Sequence, residues 1–102
     1  MMIVYRYAVQ ATPLDPNGER QTDKTEVFGK FTNFVAANSF RAGKVDEFWD
    51  ENWENDLWTD PMPANVPGVK SAVEIRWEDE NGDRIGMAFD VVEIEPEGVE
   101  VV

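Results

Sequence analysis

The chain reads as an α+β domain: an antiparallel sheet of two β-hairpins, in the order ββααββ, with two helices packed on one face. Three observations predict this. The tetrapeptides Asp15-Pro16-Asn17-Gly18 and Asp79-Glu80-Asn81-Gly82 each join two stretches of alternating apolar residues, the pattern of a tight hairpin turn. Between the hairpins, apolar side chains recur at helical spacing. Residues 59–69 then carry three prolines and read as an extended return to the sheet. At 102 residues, 42% hydrophobic, with four Trp and six Phe, one domain spanning 1–102 can bury a single core. Residues 97–102 read as a short edge strand or a frayed end.

In the first hairpin, Pro16 presets φ at the second turn position and Gly18 takes the left-handed conformation of a three-residue loop. That loop predicts Tyr7 opposite Val27, Val9 opposite Thr25, Ile3 opposite Phe31 and Tyr5 over Gly29. A helix capped by Thr32 or Asn33 follows, carries Phe34, Val35, Ala36, Ala37 and Phe40, and stops at Gly43. A second helix, Val45 to about Trp58, places Val45, Phe48, Trp49, Trp53 and Leu57 on one side and Glu47, Asp50, Glu51 and Glu54 on the other. Trp49 and Trp53 fall at core spacing, and Trp58 falls on the acidic side. In the second hairpin a two-residue loop would mix the faces. A three-residue loop with Gly82 left-handed sets Val73 opposite Phe89, Ile75 opposite Met87, Trp77 opposite Ile85 and Glu78 opposite Arg84. Beyond Phe89 the pattern changes phase at Val91-Val92-Glu93-Ile94, which predicts a bulge or a strand end.

Charge bounds the chemistry. Nine basic and 21 acidic residues give a net charge of −12, which disfavours direct contact with nucleic acid or an anionic membrane and favours a basic partner. Residues 1–42 hold five basic and four acidic groups, whereas 43–102 hold four and 17, so the second half carries the field. With no Cys and no His, disulfides, thiolate chemistry and the usual neutral-pH base are excluded. Ser39 and Ser71 have no His to activate them, and Lys24, Lys30, Lys44 and Lys70 stand in polar contexts. Asp79, Asn81, Asp83 and Asp90 imitate part of a calcium loop, but Gly82 stands at its fourth position where the sixth requires glycine. No metal, cofactor or catalytic residue is expected. Neither a signal peptide nor an 18-residue apolar run is visible, so the expected location is cytoplasmic.

The sharpest candidate is the acidic stripe. Glu47, Asp50, Glu51 and Glu54 follow i, i+3, i+4, i+7 spacing, which stacks like charges on a helix and destabilises it slightly. A solvated face accounts for them too, with Glu47 near a helix N-terminus favoured by the dipole. The expected partner-binding set is Glu47, Asp50, Glu51, Glu54, Asp56, Trp58, Asp60 and Met62, the carboxylates supplying charge, and Trp58 and Met62 apolar contact. The corresponding function is that of a small inhibitor, of the phage, mobile-element or immunity type. It would act as a nucleic-acid mimic on the basic surface of a nucleic-acid-handling protein, as a monomer or homodimer. The alternative is a structural or assembly protein that self-associates through sheet edges at Gln10–Pro13 or Val99–Val102.

Overall fold

A computed structural model describes residues 1–61 and 66–101. Five strands and one long helix follow one another: β1 (Met2–Leu14), β2 (Glu26–Phe31), α1 (Phe34–Glu51), β3 (Trp58–Pro61), β4 (Val69–Glu78) and β5 (Arg84–Glu100). Short 3-10 turns occupy Thr22–Lys24 and Trp53–Asn55. The strands form one sheet in the order β2-β1-β5-β4-β3, and every neighbouring pair is antiparallel. Among the described residues the chain is therefore mostly sheet with a single α-helix, and the expected ββααββ arrangement with two helices is incorrect.

The difference arises at the two ends of the expected helices. Asn33 does cap α1, its Oδ1 accepting from the Ala36 amide at 2.9 Å, but Gly43 does not end the helix, which runs on through it. Glycine inside a helix costs about 1 kcal/mol relative to alanine. Packing on both sides of Gly43 offsets that cost: Phe40 meets Phe31 at 5.1 Å between ring centroids, and Phe48 meets Phe89 at 5.4 Å and Trp77 at 5.5 Å. One apolar stripe thus continues across the glycine onto one sheet. The helix ends instead at Asn52, whose side chain donates to the Phe48 carbonyl at 2.9 Å. Asp56 then adopts a left-handed conformation with φ 48°, which short polar residues tolerate. This reversal releases Trp58 into β3, where Trp58 lies opposite Arg76 and Asp60 opposite Glu74.

The second hairpin has the expected register: Val73, Ile75, Trp77 and Glu78 face Phe89, Met87, Ile85 and Arg84. Gly82 is left-handed at φ 79°. The first hairpin has the expected turn but not the expected register. Gly18 is left-handed, Leu14 bridges to Arg20, and Asp15 Oδ1 accepts from the Asn17 and Glu19 amides at 2.9 Å each, as Asp79 does from Asn81 and Asp83. Beyond Arg20 the chain leaves the ladder as the Thr22–Lys24 turn, tied back by a Thr12–Thr25 hydroxyl contact of 2.8 Å. The inserted residues and a bulge at Val9/Gln10 move the pairing, so Tyr7 faces Phe31 and Val9 faces Gly29. Ile3 and Tyr5 pair with Val99 and Glu97 of β5 instead.

The bulge beside Val91 lies on β4, at Val69/Ser71 opposite Val91 and Val92, and β5 itself continues past the expected phase change. A larger irregularity follows between Tyr5 and Tyr7, opposite the stretch from Glu93 to Glu97 that contains Pro96, a residue confined in sheets to edges and bulges. From there Met2–Tyr5 and Glu97–Glu100 form a two-stranded ribbon beyond the ends of β2 and β4. Val99 thus belongs to the longest strand of the sheet.

The core lies between α1 and the sheet. Val9, Ala37 and Val91 form one buried cluster; Ala11, Ile75 and Phe89 form the other, with Val45, Phe48, Leu57 and Trp77 packed against it. Trp49 and Trp53, expected in the core, are 36% and 71% exposed. A single continuous helix turns Phe48 inward and Trp49 to its flank, and Trp53 follows the helix end. Arg41 is buried on α1, where it donates to Asn38 Oδ1 at 3.1 Å. Burial pushes its guanidinium below the usual arginine value, and the charge of Asp90 opposes that shift. Asp90 itself is fully buried and held by both terminal nitrogens of Arg20, one at 2.9 Å. Gly86 lets β5 approach β4 closely, since a Cβ there would stand 2.7 Å from the Ile75 carbonyl oxygen.

Candidate functional site

The expected rod of four carboxylates is broken in two. Glu47, Asp50 and Glu51 lie on the last turns of α1, while Glu54 lies in the following 3-10 turn and Asp56 at the left-handed residue. Trp58 and Asp60 lie on β3, and Met62 falls outside the described residues. All seven described members of the set are exposed. Glu47 stands 3.5 Å from Lys44, and Asp60 stands 3.9 Å from Arg76, which also binds Glu74. Among the described residues, Asp50, Glu51, Glu54 and Asp56 enter no ion pair.

The position of these charges matters as much as their number. Because α1 begins at Phe34, Glu47 is not near a helix N-terminus, and Asp50 and Glu51 occupy the final turn, where no basic residue is present. The carboxyl end of a helix carries partial negative charge, and each acidic side chain there is disfavoured by about 0.3–1 kcal/mol. The dipole therefore supplies no stabilising reason for this stripe, which reverses the expectation for Glu47.

Beyond the helix, the fold assembles a cleft that spacing along the chain does not reveal. Glu54, Asn55, Asp56, Trp58, Glu78 and Asp79 line a concavity of about 360 Å³. Its members come from the turn after α1, from β3, and from the start of the second hairpin turn. Trp58 is 38% exposed, so an aromatic surface stands among four carboxylates. A cation placed there would meet both negative charge and a ring face. Trp58 lies opposite Arg76, two residues before Glu78. That pairing brings Glu78 and Asp79 to the site, and reading Trp58–Pro61 as a strand, from its Trp and Thr, would have been the signal for it.

A second, smaller cleft of about 160 Å³ opens on the helix side of the sheet, with Phe28, Phe48, Phe89 and Met87 inside and Glu26, Glu51 and Lys44 among its walls. Acidic surface therefore wraps around this end of the domain, from the flank of α1 to the opposite face of the sheet. Among the described residues, no group of three or more acidic side chains is arranged to hold a metal ion, and no helix is long and apolar enough to cross a membrane. No protein-family model, curated protein or solved structure matches the chain.

Proposed function

We propose that this is a small, acidic, non-enzymatic protein of the cytoplasm that binds a basic surface of a nucleic-acid-handling protein and blocks it by mimicking a polyanion. One observation carries the reading: Glu54, Asp56 and Asp79, which enter no ion pair among the described residues, converge with Glu78, paired to Arg84, on exposed Trp58 just beyond α1, next to Asp50 and Glu51, which the helix dipole opposes. A fold retains such a cost when another molecule supplies the positive charge. Lys and Arg that grip phosphates would find Glu47, Asp50 and Glu51 along a rigid helix and Glu54, Asp56, Glu78 and Asp79 around the Trp58 cleft, with the ring excluding water.

The test is capture of partners from the source cell, washed at low salt and at about 0.5 M, where screening shortens to a few Å. The expected result is a basic nucleic-acid-binding protein released by the higher salt, whose nucleic acid is displaced by this protein. Replacing Asp50, Glu51, Glu54 and Asp56 with lysine should abolish the displacement. Capture that is indifferent to salt and to these charges would overturn the reading.

A second reading is favoured by the ribbon. Among the described residues, the outer edges of Met2–Tyr5 and of Glu97–Glu100 pair with no other strand, and an open edge accepts another strand. The edge expected at Gln10–Pro13 is not available, because this segment pairs with β5 throughout, with β2 at Gln10 and Ala11, and through the Pro13 carbonyl with Gln21. Light scattering of the pure protein decides: self-association that survives the lysine substitutions supports assembly through the ribbon.

A further inference from the structure

We infer that the cleft between α1 and the sheet seats one lysine or arginine side chain of the basic partner, its aliphatic stem on Phe48, Met87 and Phe89 and its cationic head between Glu26 and Glu51. The inference rests on the reading above and specifies how that partner is gripped.

The floor is apolar: Phe48 and Met87 are half-buried, and Phe89 closes the bottom. At about 160 Å³ the space suits a single side chain, not a helix or strand. The walls select charge. Glu26 arrives from β2 and Glu51 from the last turn of α1, and among the described residues neither enters an ion pair. The chain also contains its own version of the contact. Lys44 extends across the same wall with its ammonium 4.8 Å from the Phe28 ring centroid and 5.6 Å from that of Phe40, and 3.5 Å from Glu47. A long apolar stem ending in a cation is thus already the chemistry this surface accommodates. An anion would be repelled by Glu26, Glu47 and Glu51. A neutral apolar side chain would fill the floor but desolvate Glu26 and Glu51 without compensation.

The experiment uses the full chain carrying isotope-labelled methionine methyls and tryptophan indoles, titrated separately with n-pentylammonium, with n-pentanol as its neutral counterpart, and with an octalysine peptide. Pentylammonium should shift the Met87 methyl saturably, and pentanol should bind about 3-fold or more weakly. Glu26→Gln with Glu51→Gln should erase that preference, and Lys44→Met should strengthen pentylammonium binding by removing the internal competitor. Equal binding of pentanol and pentylammonium, or no shift of Met87 with either, overturns the inference. The peptide separates the two readings. Movement of the Trp58 indole together with Met87 supports both; movement of Trp58 with Met87 silent removes the cleft and leaves the basic-partner reading; silence at both removes both. The first comparison uses the unaltered chain, so it holds whether or not the variants fold.

Discussion

Along the sheet, several acidic side chains meet cations, Asp90 lying against Arg20, Glu74 against Arg76, Glu93 against Lys70 and Glu97 against Lys30, while Glu26 on β2 meets none among the described residues. At the carboxyl end of α1, Asp50, Glu51, Glu54 and Asp56 meet none among the described residues. The difference has a topological cause. Strand pairing brings together residues distant along the chain, Arg20 and Asp90 being 70 positions apart, so a cation from the balanced first half can answer a carboxylate from the acidic second half. The end of a helix is surrounded first by its own sequence neighbours, and here six of the residues from Asp46 to Asp56 are acidic and none is basic. Net charge alone therefore does not locate the field. The field lies where topology leaves acidic neighbours together.

The comparison is broken most severely on the sheet side. Asp90→Ala removes half of a buried ion pair and should cost about 3–5 kcal/mol, read as a lowered urea midpoint; a loss below about 1 kcal/mol would put this pair on the footing of a surface contact. Gly86→Ala should follow, costing about 1–3 kcal/mol as its Cβ forces β5 away from the Ile75 carbonyl, with the ladder amides around Arg76 exchanging faster. At the helix end the sign should reverse: Asp50→Lys and Glu51→Lys should each stabilise the fold by about 0.3–1 kcal/mol, raising the thermal midpoint while weakening a basic partner. If they destabilise, the carboxylates have a structural role and the functional argument fails. The smallest effect belongs to Glu97→Gln on the exposed ribbon pair, about 0.2–1 kcal/mol and diminishing with added salt.

Much of the sheet was legible because turn chemistry and alternation are local. Asp79, Asn81 and Gly82 set the second turn, and the faces of Val73, Ile75 and Trp77 allow one register with Phe89, Met87 and Ile85. The same logic gave the right turn and the wrong register in the first hairpin, because Thr22–Lys24 leaves the ladder and Thr25 then meets Thr12, a contact that no local pattern announces. The helix departs from its local pattern for a related reason. Gly43 carries a stop signal that long-range packing of Phe40 and Phe48 overrides, while Asn52 and Asp56 end the helix before the apolar spacing of Trp53 and Leu57 runs out. Of the candidate site, the carboxylates on 47–56 and exposed Trp58 were visible in the chain. Glu78, Asp79, Glu26 and the aromatic cleft were not, since each reaches the site through a strand partner.

What the sequence determined by itself was the material: one domain's worth of apolar residues, two left-handed glycine turns, and a surplus of carboxylates in the second half with no histidine or cysteine for chemistry. Only the tertiary structure decided which of those carboxylates are neutralised, that β5 runs beside β1, and that one helix spans the sheet. The physical reason is range. Propensity, capping and alternation act over a few residues, whereas counter-ion pairing and core packing depend on which distant segments the ladder sets side by side.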